Sequence, residues 1–193
     1  SYLGYDSNHS PLDAPEGLRS APYLPFDGMN ERGLAVGMMA IAHAEGGSDP
    51  QKVTLDSLEL IRLMLDYAAN VSEALELIGK YNVYFDEVPI HYMVADAAGN
   101  SAVIEYLNGK PVVLRGSGGW QVSTNFIISE EKPDGANSSC RRYNTLESAL
   151  SKTKGGVDAG AGMKLLQSEA QEGSETATRW SVVYRLAARS LNL

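Results

Sequence analysis

The sequence predicts one α+β domain over residues 1–193, and the order of its elements supports this fold class. A mainly apolar strand is followed by two amphipathic helices, then by several strands with turn residues between them. Further helices and an aromatic-rich strand complete the chain. Strands grouped in this way favour layers of antiparallel sheet and helix over alternating βαβ units. An apolar fraction of 44% is enough for one sizeable core.

The N-terminal part of the chain predicts loop and then a buried strand. Four prolines interrupt residues 1–26, where apolar residues show little period. Gly28, Asn30 and Gly33 then supply turn chemistry, because these residue types tolerate positive φ. The run at residues 34–42 lacks polar alternation, which predicts a strand covered on both faces.

Residues 54–81 predict two consecutive helices. Apolar residues recur at helical spacing in the first, at Leu55, Leu58, Ile61, Leu65 and Ala68. Thr54 is its predicted N-cap. The second begins after Asn70, and Glu73 three residues later completes a variant of the capping box.

The next region predicts an antiparallel meander. Its four predicted strands are residues 90–95, 102–107, 111–114 and 120–128. The dipeptide Asn108-Gly109 is typical of a type I′ hairpin turn. Beyond a polar loop at 129–142, the pattern predicts helices at 143–152 and 158–171 and a strand at 180–186.

Composition excludes several classes of function. A net charge of −8 with no basic patch argues against nucleic acid as a partner. No apolar run approaches the ~20 residues that a membrane helix needs, and no signal peptide is visible, which slightly favours the cytoplasm over export. The three histidines lack the spacing of metal ligands, and phosphate-binding glycine loops are absent, so no metal or cofactor is predicted.

Four residues are candidates for chemistry, each beside a structural interpretation. His91 lies among apolar neighbours and is more typical of a hydrogen-bonded core histidine than of a base. Cys140 precedes two arginines that would lower its thiol pKa, but no base is evident, which favours an incidental cysteine. Asn125 ends a predicted strand, where a carboxamide can stabilise an oxyanion or simply cap the strand. Arg142 suits an active site or the surface equally.

Six blocks in order resemble the choloylglycine hydrolase family, which includes bile salt hydrolases and penicillin V acylases. Residues 27–34 read DGMNERGL and resemble its DGMNEKGL block. The others are a helix pair at 62–73, a hairpin from His91 to Glu105, Thr124-Asn125, Arg142-Tyr143, and WSVVY at 180–184. Each block is weak alone, and their shared order makes the match specific.

The resemblance implies an N-terminal-nucleophile hydrolase with a four-layer αββα sandwich. Members of this family attack a linear, non-peptide amide with a processed N-terminal cysteine whose own α-amine is the base. The family's oxyanion residue transfers to Asn125, and its active-site arginine transfers to Arg142. The implied partner is a small-molecule amide, without a cofactor, and a homo-oligomer is compatible with the family.

The sequence departs from the family in two ways. Only 26 residues precede Asp27, and none is a cysteine. We therefore expect a chain truncated at both ends, with the nucleophile on a missing segment or separate chain; Ser1 is a less favoured nucleophile. Ala40 stands where bile salt hydrolases carry an asparagine, which argues against a typical bile salt hydrolase. Met38, Met39 and Ala40 are candidates to line an acyl pocket, with strand packing as the alternative.

A second hypothesis also fits these departures: a non-catalytic binding or structural protein that has kept the fold and lost the nucleophile. The two hypotheses differ in what they require of the predicted site. An enzyme needs Asn125 and Arg142 to converge on one cleft, whereas a scaffold without catalysis does not.

Overall fold

The computed structural model describes residues 21–86, 88–131, 138–173 and 177–193. The predicted N-terminal loop up to residue 20, and with it Ser1, lies outside the described residues. Among the described helices none is long and apolar enough to cross a membrane. The same residues contain no group of His, Cys, Asp or Glu that could hold a metal ion.

The centre of the fold is a five-stranded antiparallel sheet with strand order β1-β2-β5-β6-β7. Its strands are β1 (Asp27–Met29), β2 (Ala35–Ala40), β5 (Ile90–Ala95), β6 (Ser101–Leu107) and β7 (Lys110–Arg115). The β6–β7 turn has positive φ at both Asn108 and Gly109, at 51° and 74°. These values confirm the predicted type I′ turn, whose twist matches that of the strands it joins.

The two helices predicted at residues 54–81 are present, and they cover one face of this sheet. They are α1 (Ser57–Tyr67) and α2 (Val71–Ile78), and they follow a short strand β3 (Thr54–Asp56), which pairs in parallel with β4 (Asn82–Tyr84). Their apolar sides pack onto alternate residues of β2, β5 and β6, forming one core. Its fully buried members include Leu60, Ile61, Met64, Ile78, Tyr92, Val94 and Ile104.

The predicted N-cap of α1 is wrong by two residues. Thr54 belongs to β3, and Asp56 is the N-cap, with Leu58 N donating to its carboxylate at 2.8 Å and Glu59 closing the capping box. Because residues 54–56 form a strand, the helix begins later than predicted, and Thr54 lies too far before its first turn to cap it. The N-cap of α2 is Asn70, as predicted, and its side chain accepts from Glu73 N at 3.0 Å.

The chain after β7 differs most from the prediction. Residues 121–127 form no regular structure, so the predicted strand at 120–128 is wrong; Trp120 makes only an isolated bridge with Ser117. Gly118 and Gly119, both at positive φ, turn the chain away from the ladder there. Where the structure describes the predicted loop at 129–142, it overlaps one helical turn, α3 (Ile128–Glu131), and the start of α4 (Arg141–Thr153).

The C-terminal part lies beside the second face of the sheet. Helix α5 (Ala159–Ser168) precedes a hairpin of β8 (Val183–Arg185) and β9 (Ser190–Asn192). Asp27 on β1 accepts from Tyr184 Oη at 2.7 Å and from Trp180 Nε1 at 3.1 Å. Between this segment and the sheet lies a mainly apolar cavity of about 350 Å³, lined by residues that include Ala35, Gly37, Met39, Met93, Val182 and Leu186. The sequence predicts that the strand at residues 34–42 is covered on both faces. The helices cover one face, whereas the other face lines this cavity, so the prediction is confirmed on the helix side only.

Gly33 is where the first hairpin meets the C-terminal segment. Its φ is +80°, and a Cβ there would lie 2.5 Å from the carbonyl oxygen of Leu186. Gly33→Ala is expected to lower the free energy of unfolding by about 2 kcal/mol, because backbone strain and a backbone clash add. Gly99→Ala is the matched control, since Gly99 has φ +87° with open space around it. Equal losses for both variants in denaturant unfolding would contradict the clash.

Candidate active site

Three of the predicted site residues meet at one end of the central sheet. Nη2 of Arg142, in the first turn of α4, donates to Oδ1 of Asn125 at 2.7 Å. Nδ2 of Asn125 donates to the carbonyl oxygen of Ala40, at the end of β2, at 2.9 Å. Asn125 and Arg142 are therefore in direct contact, although 17 residues separate them.

These two hydrogen bonds determine the orientation of the Asn125 carboxamide. Its oxygen must face Arg142, because a guanidinium only donates, and its nitrogen must face the carbonyl of Ala40. One N–H of Nδ2 is used by Ala40. Among the described residues the other N–H has no partner, and the Asn125 side chain is exposed. An oriented N–H donor is thus available to a bound molecule.

Arg142 also changes the chemistry of this donor. A positive charge bonded to the amide oxygen draws electron density from the amide nitrogen, which makes its N–H groups stronger donors. The neighbouring Arg141 contributes nothing comparable, because its guanidinium lies 3.5 Å from the Glu169 carboxylate and its side chain is 77% exposed. Only one of the two adjacent arginines therefore acts on Asn125.

Met38 and Met39 lie on opposite faces of β2. Met38 is opposite Tyr92 and packs against the helix-side core. Met39 is opposite His91 and lines the apolar cavity on the other face. Successive strand residues alternate between faces, so the two methionines cannot line one pocket together. The exposed Ala40 follows at the edge of the site.

A buried pair lies directly beneath the segment that carries Asn125. His91 on β5 and Glu105 on β6 are both 0% exposed, and Nδ1 of His91 is 3.4 Å from Oε1 of Glu105. Nε2 of His91 is 2.8 Å from the carbonyl oxygen of Thr124 and 3.1 Å from Oγ of Ser123. The predicted buried, hydrogen-bonded histidine is confirmed.

Glu105 binds the other end of the same segment. Its carboxylate accepts from the backbone N of Ile128 at 2.6 Å, from the backbone N of Ser129 at 3.1 Å, and from Oγ of Ser129. Burial raises the pKa of Glu105, whereas hydrogen bonds from His91, Ser129 and Ile128 lower it. The hydrogen bonds together outweigh burial, so the pKa lies below its usual value. Glu105 is therefore a carboxylate near neutral pH.

The group of Ser123, His91 and Glu105 has the composition of a serine triad but the wrong proton arrangement. A carbonyl oxygen can only accept, so Nε2 of His91 must carry a proton to bond Thr124. A protonated Nε2 cannot take the proton of Ser123, as a general base would have to. Local motifs do not single out Glu105 as a functional residue, although a lone carboxylate in the apolar strand SAVIEYL is a usable signal.

Cys140 lies next to this corner, immediately before α4. Oγ1 of Thr124 donates to its sulfur at 3.3 Å. Burial raises the thiol pKa, but the bond from Thr124, backbone N–H groups at the helix start and the charge of Arg142 together bring the pKa below its usual value. The described residues place no histidine or carboxylate in hydrogen-bond contact with the sulfur, so no base is available there.

Comparison with known proteins identifies the family. The model of the family described as linear amide C–N hydrolases, choloylglycine hydrolase family, matches residues 16–126. The chain belongs to this family. The match includes Ala40 and Asn125, whereas Arg142 lies outside it.

A penicillin V acylase of Pectobacterium atrosepticum is 30% identical over 128 residues, covering 60% of this chain and 33% of the relative. The chain therefore spans about a third of that relative's length.

Solved structures of the family share the fold. Penicillin V acylase from Agrobacterium tumefaciens superposes with a TM-score of 0.57 at 24% identity, covering 74% of this chain and 50% of that one. The R18L variant of conjugated bile acid hydrolase from Clostridium perfringens gives 0.61 at 15% identity, covering 80% and 62%. These matches confirm the predicted α+β fold of the N-terminal-nucleophile hydrolases.

Proposed function

We propose that this chain supplies the oxyanion-stabilising part of an enzyme that hydrolyses a linear, non-peptide amide of a small molecule. The observation that carries the proposal is the Asn125 carboxamide, oriented by Arg142 and the Ala40 carbonyl with one N–H left over. Membership of the linear amide C–N hydrolase family supports the same reaction class. The proposed nucleophile is the N-terminal cysteine that the family resemblance implies, on a segment outside residues 1–193.

The proposed reaction has two stages. The α-amine of the N-terminal cysteine takes the thiol proton, the thiolate attacks the amide carbon, and the carbonyl oxygen becomes an oxyanion that accepts from Nδ2 of Asn125. The C–N bond then breaks, and the leaving amine takes that proton back from the α-ammonium group. Water next attacks the thioester, passing through a second oxyanion at the same position. The acid is released and the thiol is restored. Asn125 acts twice, because both stages develop negative charge on one oxygen.

Met39 and Ala40 are the proposed contacts for the acyl group. Ala40 is adjacent to Asn125 through their hydrogen bond, and Met39 opens onto the apolar side of the sheet. The short, apolar side chain of Ala40 leaves space and adds no polar contact beside the reacting carbonyl. Met38 supports β2 from the helix side in this proposal and does not touch the acyl group.

The test is hydrolysis by the natural protein, with adjacent arginines as a matched pair. Penicillin V, a conjugated bile acid and a fatty-acyl amide serve as probes. Arg142→Ala is expected to lower kcat about tenfold to a hundredfold, the worth of one hydrogen bond from a charged group. Arg141→Ala should leave kcat unchanged, because Arg141 faces Glu169.

Three outcomes would contradict the proposal. Equal effects of the two arginine substitutions would remove the role of Arg142. Loss of turnover in Cys140→Ala with retained folding would point to Cys140 as nucleophile instead. Binding of a probe without turnover, in protein processed at its natural N-terminus, would favour the alternative of a non-catalytic binding protein.

A further inference from the structure

The backbone of the segment that carries Asn125 is hydrogen-bonded in an unusual way. Residues 121–127 form neither helix nor strand, and within the described residues no backbone–backbone hydrogen bond involves residues 122–126. Val122, Phe126 and Ile127 are nevertheless buried. Buried backbone groups need partners, and for the Thr124 carbonyl that partner is a side chain of the sheet below.

His91 and Glu105 hold this segment on either side of Asn125. His91 bonds the carbonyl of Thr124, the residue immediately before Asn125. Glu105 bonds the backbone N–H groups of Ile128 and Ser129, beyond it. The two side chains also contact each other across neighbouring strands, at 3.4 Å. Side chains of one sheet therefore hold the backbone in place both before and after Asn125.

Stability alone is a poor reason for this pair. Removing two polar side chains from water is costly, and apolar residues of similar size often serve a core as well or better. Hydrogen bonds, by contrast, are directional and determine where a backbone lies. What this pair adds beyond stability is thus a defined position for the segment. That position in turn determines where the Asn125 side chain lies.

We propose that His91 and Glu105 are positioning residues, which hold the 123–129 segment so that Asn125 presents its free N–H to the oxyanion. This inference rests on the proposed function, because it assumes that Asn125 is the oxyanion donor. Neither residue touches the reacting atoms. Their effect on the rate passes entirely through Asn125, and that dependence can be measured.

The experiment is a double-substitution cycle in the natural protein, with Glu105→Gln and Asn125→Ala. Gln replaces one carboxylate oxygen with an NH2 group, which then faces a backbone N–H of Ile128 or Ser129. Glu105→Gln alone is expected to lower kcat about tenfold to a hundredfold, as for a catalytic group displaced by roughly 1 Å. KM should change little. In the Asn125→Ala background the same substitution should change kcat by less than about twofold.

Ile104→Val is the matched control, a neighbouring β6 position that is fully buried on the helix side. It should reduce stability without reducing kcat. If Glu105→Gln does not fold, Ser129→Ala takes its place in the cycle, because it removes only the hydroxyl bond to Glu105. A fall of about threefold is expected for it alone, and none in the Asn125→Ala background.

The outcomes separate this inference from the proposed function. An unchanged kcat in Asn125→Ala alone would overturn the proposed function itself. A normal effect of Asn125→Ala, with Glu105→Gln or its substitute costing the same factor in both backgrounds, would overturn only the positioning role. The positioning role is also overturned if that substitution leaves kcat unchanged in the native background, or if Ile104→Val lowers kcat equally.

Discussion

Asn125→Ala is expected to lower kcat of the natural protein by about a hundredfold to a thousandfold, with little change in KM. The N–H that is lost bonds an oxygen whose charge develops only in the transition state, so ground-state binding is nearly unaffected. The exposed side chain contributes little to the core, and folding should be retained. Steady-state kinetics on whichever amide is turned over, with circular dichroism as a check of folding, provide the measurement.

Asn144→Ala is the matched control for that experiment. Asn144 has the same side chain and lies in α4, and its carboxamide bonds the backbone of Ser138, at 2.7 and 3.2 Å, away from Asn125. Its loss should affect stability and leave kcat in place. Asn125→Asp should be at least as damaging as Asn125→Ala, because a carboxylate only accepts and would repel the oxyanion. Equal kcat values for Asn125→Ala and Asn144→Ala would exclude Asn125 as the donor.

Asp96→Ala is expected to lower the free energy of unfolding by about 3 kcal/mol, the largest stability effect that we predict for a single polar side chain. Asp96 is 3% exposed and accepts from the backbone N of Val71 at the start of α2. It also accepts from the backbone N of Ala98 and Asn100 in its own hairpin loop. One carboxylate therefore joins the helix layer to the sheet, and its removal leaves several N–H groups without partners.

Asp66→Ala is the control for this variant, since Asp66 is a partly exposed aspartate in an i,i+4 pair with Arg62 on α1. Exposed pairs of this kind contribute about 0.5 kcal/mol. Urea unfolding monitored by tryptophan fluorescence compares the two variants. Similar losses for both would show that Asp96 does not hold the layers together.

The stabilisation by Asp96 should also depend on pH. Burial raises its pKa, but the hydrogen bonds from Val71, Asn100 and Ala98 outweigh burial, and the net pKa lies below the usual value. A carboxylate with a lowered folded-state pKa stabilises the fold above its unfolded pKa of about 4, and that stabilisation is lost as the pH falls further. The difference between native protein and Asp96→Ala should therefore shrink below about pH 4. Glu105, whose pKa is lowered in the same direction, should add to this acid sensitivity.

Local patterns predict those elements whose determinants are close together in the sequence. The Asn108-Gly109 turn and the N-cap Asn70 each follow from a few neighbouring residues, and both are present. The predicted strand at 120–128 is wrong for the opposite reason. Its apolar residues resemble a strand, but its backbone is bonded by side chains of His91 and Glu105, which no local pattern reveals.

The amino-acid sequence by itself determined the fold class, the meander of β5, β6 and β7, and the family, because turn residues, capping residues and the ordered family blocks are local features of the chain. The tertiary structure alone decided that Asn125 meets the carbonyl of Ala40, 85 residues away, and the guanidinium of Arg142. It also decided that Nε2 of His91 carries a proton, and that the side chains of Met38 and Met39 lie on opposite faces of the central sheet. These properties depend on which groups face each other across strands and loops, and directional hydrogen bonds exist only once the chain has brought donor and acceptor together.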